Sequence, residues 1–250
     1  DTEWLADNLD DPQLRIVDCD EPLAYDRMHI TGAIKIPVFH YIKNTSVVSP
    51  AGYGVNVMTA EEVSALLHKM GIGPNDKVVA YDNSLSLYAA RFWWVLRYYG
   101  FQFVKIVDGG WKKWYREGRS IGLDVPEYSA QDKLKPKTDE SMIISTEELI
   151  QSYNQSDTVV WDVRSQNEYI GTETRGNKRT GHIPGATHLE CTGTGEKVES
   201  ERLIGLSLAG KPLFARYDLD LIKSSFTRDS VGCRSADLWR YEEVLPVRAR

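Results

Sequence analysis

Three cysteines, Cys19, Cys191 and Cys233, are the side chains of this 250-residue chain best suited to nucleophilic chemistry. The thiolate is the reactive form, so a working cysteine needs surroundings that favour the charge. An odd number of widely separated cysteines argues against a disulfide framework and fits a reducing compartment. No Cys-x-x-Cys pair or Cys/His cluster has zinc-ligand spacing, so no metal centre is expected. Cys19 closes the apolar run Leu14-Arg15-Ile16-Val17-Asp18 and reads as a small core residue. Cys191, after His188-Leu189-Glu190, reads as a structural or incidental thiol. Cys233 is followed by Arg234-Ser235-Ala236, a cation and two small residues.

Composition narrows the setting for such chemistry. Hydrophobic residues make up 42% and charged residues 26%, with a net charge of −6. These values suit a globular chain with one large domain or two ordinary ones. The acidic balance disfavours a nucleic-acid partner. No apolar run approaches the roughly 20 residues that span a bilayer, so no membrane partner is expected. The sequence opens at Asp1, and no signal peptide is visible in its first residues. A cytoplasmic protein is expected, working as a monomer or weak dimer.

The elements that must position a site occur twice. Near the start, a helix-like stretch Thr2 to Leu9 precedes a strand ending in Ile16-Val17-Asp18, then Tyr25 and His29-Ile30-Thr31-Gly32-Ala33. Downstream, Ser145-Thr146-Glu147-Glu148 has capping-box form. The strand Thr158-Val159-Val160-Trp161-Asp162 comes next, then Tyr169 and His182-Ile183-Pro184-Gly185-Ala186. Within the first half, Thr59-Ala60-Glu61-Glu62 opens a helix with an apolar face at Val63, Leu66, Leu67 and Met70. A buried strand Lys77 to Asp82, an aromatic-rich helix Ala89 to Tyr99 and a strand Phe103 to Val107 succeed it. Asp108-Gly109-Gly110-Trp111 reads as a turn. Alternating strands and helices predict a parallel sheet covered by helices. The polar stretch 124–141, with Pro126 and Pro136, reads as a linker between domains at 1–123 and 142–250.

These strings resemble the two-domain rhodanese family, the thiosulfate and 3-mercaptopyruvate sulfurtransferases. In the first half the resemblance rests on Ile16-Val17-Asp18, His29-Ile30-Thr31-Gly32-Ala33, Ala89-Ala90-Arg91-Phe92-Trp93-Trp94 and Asp108-Gly109-Gly110-Trp111. In the second it rests on Asp162-Val163-Arg164, Glu168-Tyr169-Ile170-Gly171 and Gly181-His182-Ile183-Pro184-Gly185-Ala186. The resemblance implies an α/β fold of tandem rhodanese-like domains, each a central parallel sheet flanked by helices. It implies a catalytically silent first domain and a second with a loop cysteine ahead of a helix. That cysteine takes a sulfane sulfur from a small anionic donor, holds it as a persulfide and passes it to a thiol or cyanide. No cofactor is implied.

Carried onto this chain, the family's loop position in the first domain falls at Asp82, which cannot carry a persulfide. Cys233 lies about where the nucleophile belongs in the second, with Arg234 beside it to bind the donor. A second reading stays open. The polar stretch Phe226 to Gly232 is a poor strand, and Ala236-Asp237-Leu238-Trp239 with Leu245-Pro246-Val247 resembles the family's closing turn and tail. On that reading Cys233 is not the nucleophile. Asp162 reads as a salt-bridge partner, whereas Arg164 is either that partner or a group that orients the donor anion. Arg175, Lys178 and Arg179 form either a donor-attracting cluster or a solvated loop. His29 and His182 hold matching places and read as structural. Glu168 stands where mercaptopyruvate-type members tend to carry Arg, which favours thiosulfate as the donor.

Three functions compete. The first is a sulfurtransferase with thiosulfate, or 3-mercaptopyruvate, as donor. The second is a non-catalytic rhodanese-like binding or regulatory module. The third, a phosphatase of the His-Cys-x5-Arg type, is disfavoured because Gly232 precedes Cys233 and Arg240 falls one residue late.

Overall fold

The computed structural model describes residues 1–36, 57–130, 132–174, 179–191, 196–197 and 203–204. Of these, residues 1–36 and 57–139 belong to one compact unit and 140–191 to another.

The first unit opens with α1 (Thr2–Asp7), capped by the Asp1 side chain, and β1 (Leu14–Asp18). Then come α2 (Pro22–Arg27), β2 (His29–Ile30) and β3 (Ala33–Lys35). The next elements are α3 (Ala60–Lys69), β4 (Lys77–Tyr81), α4 (Leu87–Tyr98) and β5 (Val104–Ile106). A short helix, α5 (Gly110–Arg116), leads into β6 (Ile121–Gly122). The strands β3-β1-β4-β5 form a parallel sheet in that order. Val17 lies opposite Ile34 on one side and Ala80 on the other. Every residue of β1 is buried, as expected of a central strand whose two faces are both covered.

The helices are explained by their sequences. Thr59 and Glu62 satisfy each other's backbone N–H groups at the start of α3, a complete capping box. In α4, Ala89, Phe92, Val95 and Leu96 recur at helical spacing and are buried. A core of Leu5, Leu14, Ile16, Tyr25, Val79 and Trp114 joins α1, the sheet and α5. The Trp114 indole donates to the Ser120 carbonyl, so its one polar atom is satisfied.

Two elements depart from the sequence reading. The Gly109-Gly110 turn continues into α5 instead of ending as a turn. Gly110 has φ +54°, and a Cβ there would stand 2.4 Å from the Asp82 carbonyl oxygen. The polar stretch after β6 runs along the first unit: Tyr128 donates to the Gly32 carbonyl, Ser64 to the Leu134 carbonyl, and the Lys137 and Asp139 amides to Tyr99 and Tyr98.

The second unit contains a 3-10 turn at Glu140–Met142, α6 (Thr146–Ser152), β7 (Trp161–Asp162), α7 (Gln166–Ile170) and β8 (Thr187–His188). β7 and β8 are parallel, with Asp162 opposite His188. β9 (Glu196–Lys197) and β10 (Leu203–Ile204), which group with the first unit, pair antiparallel.

The repeat read from the sequence recurs in three dimensions. Tyr25 donates to the Ala33 carbonyl at 2.7 Å, and Tyr169 to the Ala186 carbonyl at 2.9 Å. His29 stacks on Tyr25 and His182 on Tyr169, each with ring centres 3.8 Å apart. Nδ1 of each histidine bonds the carbonyl of its tyrosine. Both histidines are therefore built into the turn, in keeping with a structural role.

Candidate functional site

The loop between β4 and α4 places backbone N–H groups around one point. Asp82 occupies it. Its Oδ1 accepts from the amides of Ser84 and Ser86, each at 2.8 Å. Its Oδ2 accepts from Tyr88 at 2.9 Å and Ala89 at 2.8 Å. The amides of Ser86, Tyr88 and Ala89 are orphan donors of a helix start, where the dipole favours negative charge. The cradle can hold one anion, and the Asp82 carboxylate is that anion. Two consecutive residues of the loop, Leu85 and Ser86, take left-handed φ values of 59° and 64°. Such strain persists only where other contacts hold it, and the Asp82 bonds span it.

A second carboxylate grips the same loop. Asp20, just beyond β1, accepts from the Asn83 amide at 2.6 Å and the Ser84 hydroxyl at 3.3 Å. Asp18, Asp20 and Asp82 are all buried. Burial, then the charges of Asp82 and Asp18, push the Asp20 carboxyl up to about 6. Burial likewise pushes the Asp82 carboxyl up, with the four loop amides acting against it. The Cys19 thiol is driven far up by burial and by the same three carboxylates, which suppresses its thiolate. The first unit thus has an anion cradle that is already filled, beside a buried thiol whose charged form is disfavoured.

The second unit carries the opposite charge at the matching place. Ile36 N–H bonds the Asp18 carbonyl, and Leu189 N–H bonds the Asp162 carbonyl. Strand register therefore equates Asp18 with Asp162, Cys19 with Val163 and Asp20 with Arg164. Arg164 is clamped: Nε lies 3.0 and 3.2 Å from the two Asp162 oxygens, and Nη2 lies 2.6 Å from Oδ2 and 2.7 Å from the Gly181 carbonyl. The salt-bridge reading of this pair is the one seen. Its bidentate geometry holds the guanidinium plane in place.

Among the residues singled out from sequence, Asp82 and Arg164 thus have defined partners. Arg179 is exposed, between α7 and His182. Arg175, Cys233 and Arg234 lie outside the described residues. Cys191 is half-buried, with its amide on the Val163 carbonyl. Glu168 completes a capping box with Ser165 at the start of α7, so its carboxylate has a local structural use. Asp20 escaped sequence reasoning, although aligning the two repeats sets it opposite Arg164. Among the described residues no three His, Cys, Asp or Glu side chains are grouped to hold a metal, and no helix is long and apolar enough to cross a membrane.

Comparison with known proteins bears on both units. The rhodanese-like domain family matches residues 1–117 and 145–222. The chain is 31% identical over 199 residues to the sulfur carrier protein TtuD of Thermus thermophilus, covering 75% of this chain and 67% of that one. It is 32% identical over 198 residues to a thiosulfate sulfurtransferase of Corynebacterium glutamicum, covering 75% and 63% respectively. Among solved structures, the 3-mercaptopyruvate sulfotransferase SseA of Escherichia coli shares the fold, with a TM-score of 0.64 at 22% identity over 76% of this chain and 73% of that one. A strand pairing and a Tyr–His turn that recur in both units, matched in both halves by one family, make this chain a member of the rhodanese-like family.

Proposed function

We propose that the chain is a sulfurtransferase that moves a sulfane sulfur from thiosulfate, or from 3-mercaptopyruvate, to a thiol or cyanide through a cysteine persulfide. The observation that carries the reading is the contrast between the repeats. The first copy fills its cradle with Asp82 and flanks it with Asp20, while the second places Arg164 where Asp20 stands. An anionic donor suits the second environment and is repelled by the first. The relatives named for thiosulfate sulfur transfer and sulfur carriage support the same chemistry.

In the proposed reaction the Cys233 thiolate attacks the outer sulfur of thiosulfate. The donor S–S bond breaks as the Cys–S bond forms, and sulfite leaves with the electron pair. The acceptor then attacks the outer persulfide sulfur, and the thiolate departs. The cycle is redox-balanced without a cofactor. Arg234, Arg175 and Arg179 are assigned to attracting and holding the anion. Arg164, fixed by Asp162, presents Nη1 to it, a nitrogen with no bond to any described residue. We assign residues 1–123 to a silent domain, 124–141 to the linker and 142–250 to the catalytic domain, in a cytoplasmic monomer or weak dimer.

The test is steady-state thiocyanate formation from thiosulfate and cyanide, with 3-mercaptopyruvate as the competing donor. Turnover with thiosulfate is expected, with a raised thiosulfate KM in Arg164→Gln. Absence of turnover with both donors would leave the binding-module reading, which the filled cradle of the first unit favours.

A further inference from the structure

We propose that His29 is a proton-operated clamp: as imidazolium it fastens the root of the connector to the first unit, and on losing one ring proton it releases it. The inference concerns the first unit alone and stands whether or not the chain transfers sulfur.

Both ring nitrogens of His29 face carbonyl oxygens. Nδ1 lies 3.0 Å from the Tyr25 carbonyl at the end of α2, and Nε2 lies 3.1 Å from the Asp124 carbonyl. A carbonyl oxygen only accepts. A neutral imidazole has one N–H and one lone pair, so it can satisfy one of these oxygens and must oppose the other. Only the doubly protonated ring donates to both. The ring is buried, with 1% exposure, so water cannot take over the abandoned carbonyl without a local opening.

The matching histidine supplies a control within the same chain. His182 repeats the Tyr stack and the Nδ1 bond, at 2.8 Å to the Tyr169 carbonyl. Its Nε2 has no bond to a described residue, so a single ring proton meets its needs. The bond common to both copies is the one to tyrosine. The bond particular to His29 is the one to Asp124, and that is the bond that opens.

The surroundings suit a charge that comes and goes. Tyr25 stacks on the ring from α2. From β1, Asp18 supplies the counter-charge; burial pushes its carboxyl up, and the Tyr81 hydroxyl, the Asp20 amide and the charge of His29 act against that. Tyr81, on β4, accepts from the Ile30 amide beside the ring. Lys35, on β3, lies over the Tyr25 ring at 5.2 Å. α5, which packs on β2, brings Lys113, itself paired with Glu117. On the connector the group that meets the ring is the Asp124 backbone, two residues beyond the β2–β6 ribbon.

The experiment is nitrogen NMR of the full chain with labelled histidine across a pH titration, together with amide exchange at Gly122, which pairs with His29 in the β2–β6 ribbon. One of the five histidines should carry protons on both ring nitrogens, with slowly exchanging signals, and His29→Gln should remove it. As that ring loses its second proton, exchange at the Gly122 amide, corrected for its intrinsic pH dependence, should rise roughly tenfold, the worth of one charge-assisted hydrogen bond. Should His29→Gln fail to fold, replacing the other four histidines singly assigns the signal by elimination. A His29 ring with one bare nitrogen while the Gly122 amide stays protected would overturn the clamp, as would a titration that leaves its exchange unchanged.

Discussion

Replacing Asp82 with Ala strands four backbone N–H groups of the loop and removes the side-chain bonds that span the left-handed pair Leu85 and Ser86, leaving the Leu87 amide on the Ser84 carbonyl. Asp82→Ala should therefore lower unfolding stability by about 2–4 kcal/mol in urea titrations, with Asp82→Asn falling between it and the wild type. Specific sulfur-transfer activity of the folded fraction should be retained. Asp20 has the opposite sign. Its folded pKa of about 6 lies above the ordinary 3.8, so its stabilising contribution is complete below 3.8 and is lost as pH rises through about 6. Asp20→Asn keeps an acceptor for the loop and removes the charge from beside Asp18 and Asp82. The stability difference between variant and wild type should grow in the variant's favour across that window, by on the order of 1 kcal/mol, as read by urea unfolding at several pH values. At this scale the sequence reveals residue types but not bonds. The place of Asp82 came from the family resemblance, whereas its closure of the cradle needed the loop geometry. Glu168 suggested donor choice by its charge, and the structure shows it capping α7.

Helices and strands were most legible where one local force dominates. β1 and β4 are runs of β-branched and other apolar residues, and both appear where the pattern puts them. The capping boxes read at Thr59 and Ser145 mark true helix starts, and the structure adds one at Ser165. Thr59→Ala should cost about 1 kcal/mol in chemical denaturation and Thr59→Ser much less, because the serine hydroxyl still meets the Glu62 amide. The start of α5 was illegible for a tertiary reason. Two glycines read as a turn, yet Gly110 is required by the Asp82 carbonyl packed against it, and the helix continues from there. The segment 124–141 read as a linker from its polarity. Its backbone bonds to Tyr98, Tyr99 and Ser64 depend on residues distant in sequence, which composition does not encode.

At the scale of the whole molecule, one plan is used twice with opposite electrostatics. The repetition is visible in the sequence as paired strings, and the paired Tyr–His stacks show that it extends to hydrogen bonds. The divergence lies at the strand ends, where three buried carboxylates in one copy contrast with an Asp–Arg clamp in the other. That asymmetry is the ground on which the proposed function places sulfur chemistry in the second copy. The central claim is that Cys233 carries the sulfur, and intact-mass measurement of thiosulfate-treated protein tests it most directly. The wild type should gain one sulfur that cyanide removes, and Cys233→Ser should gain none while Cys19→Ser and Cys191→Ser still do. A sulfur that persists in Cys233→Ser, or that never appears in the wild type, would contradict the account.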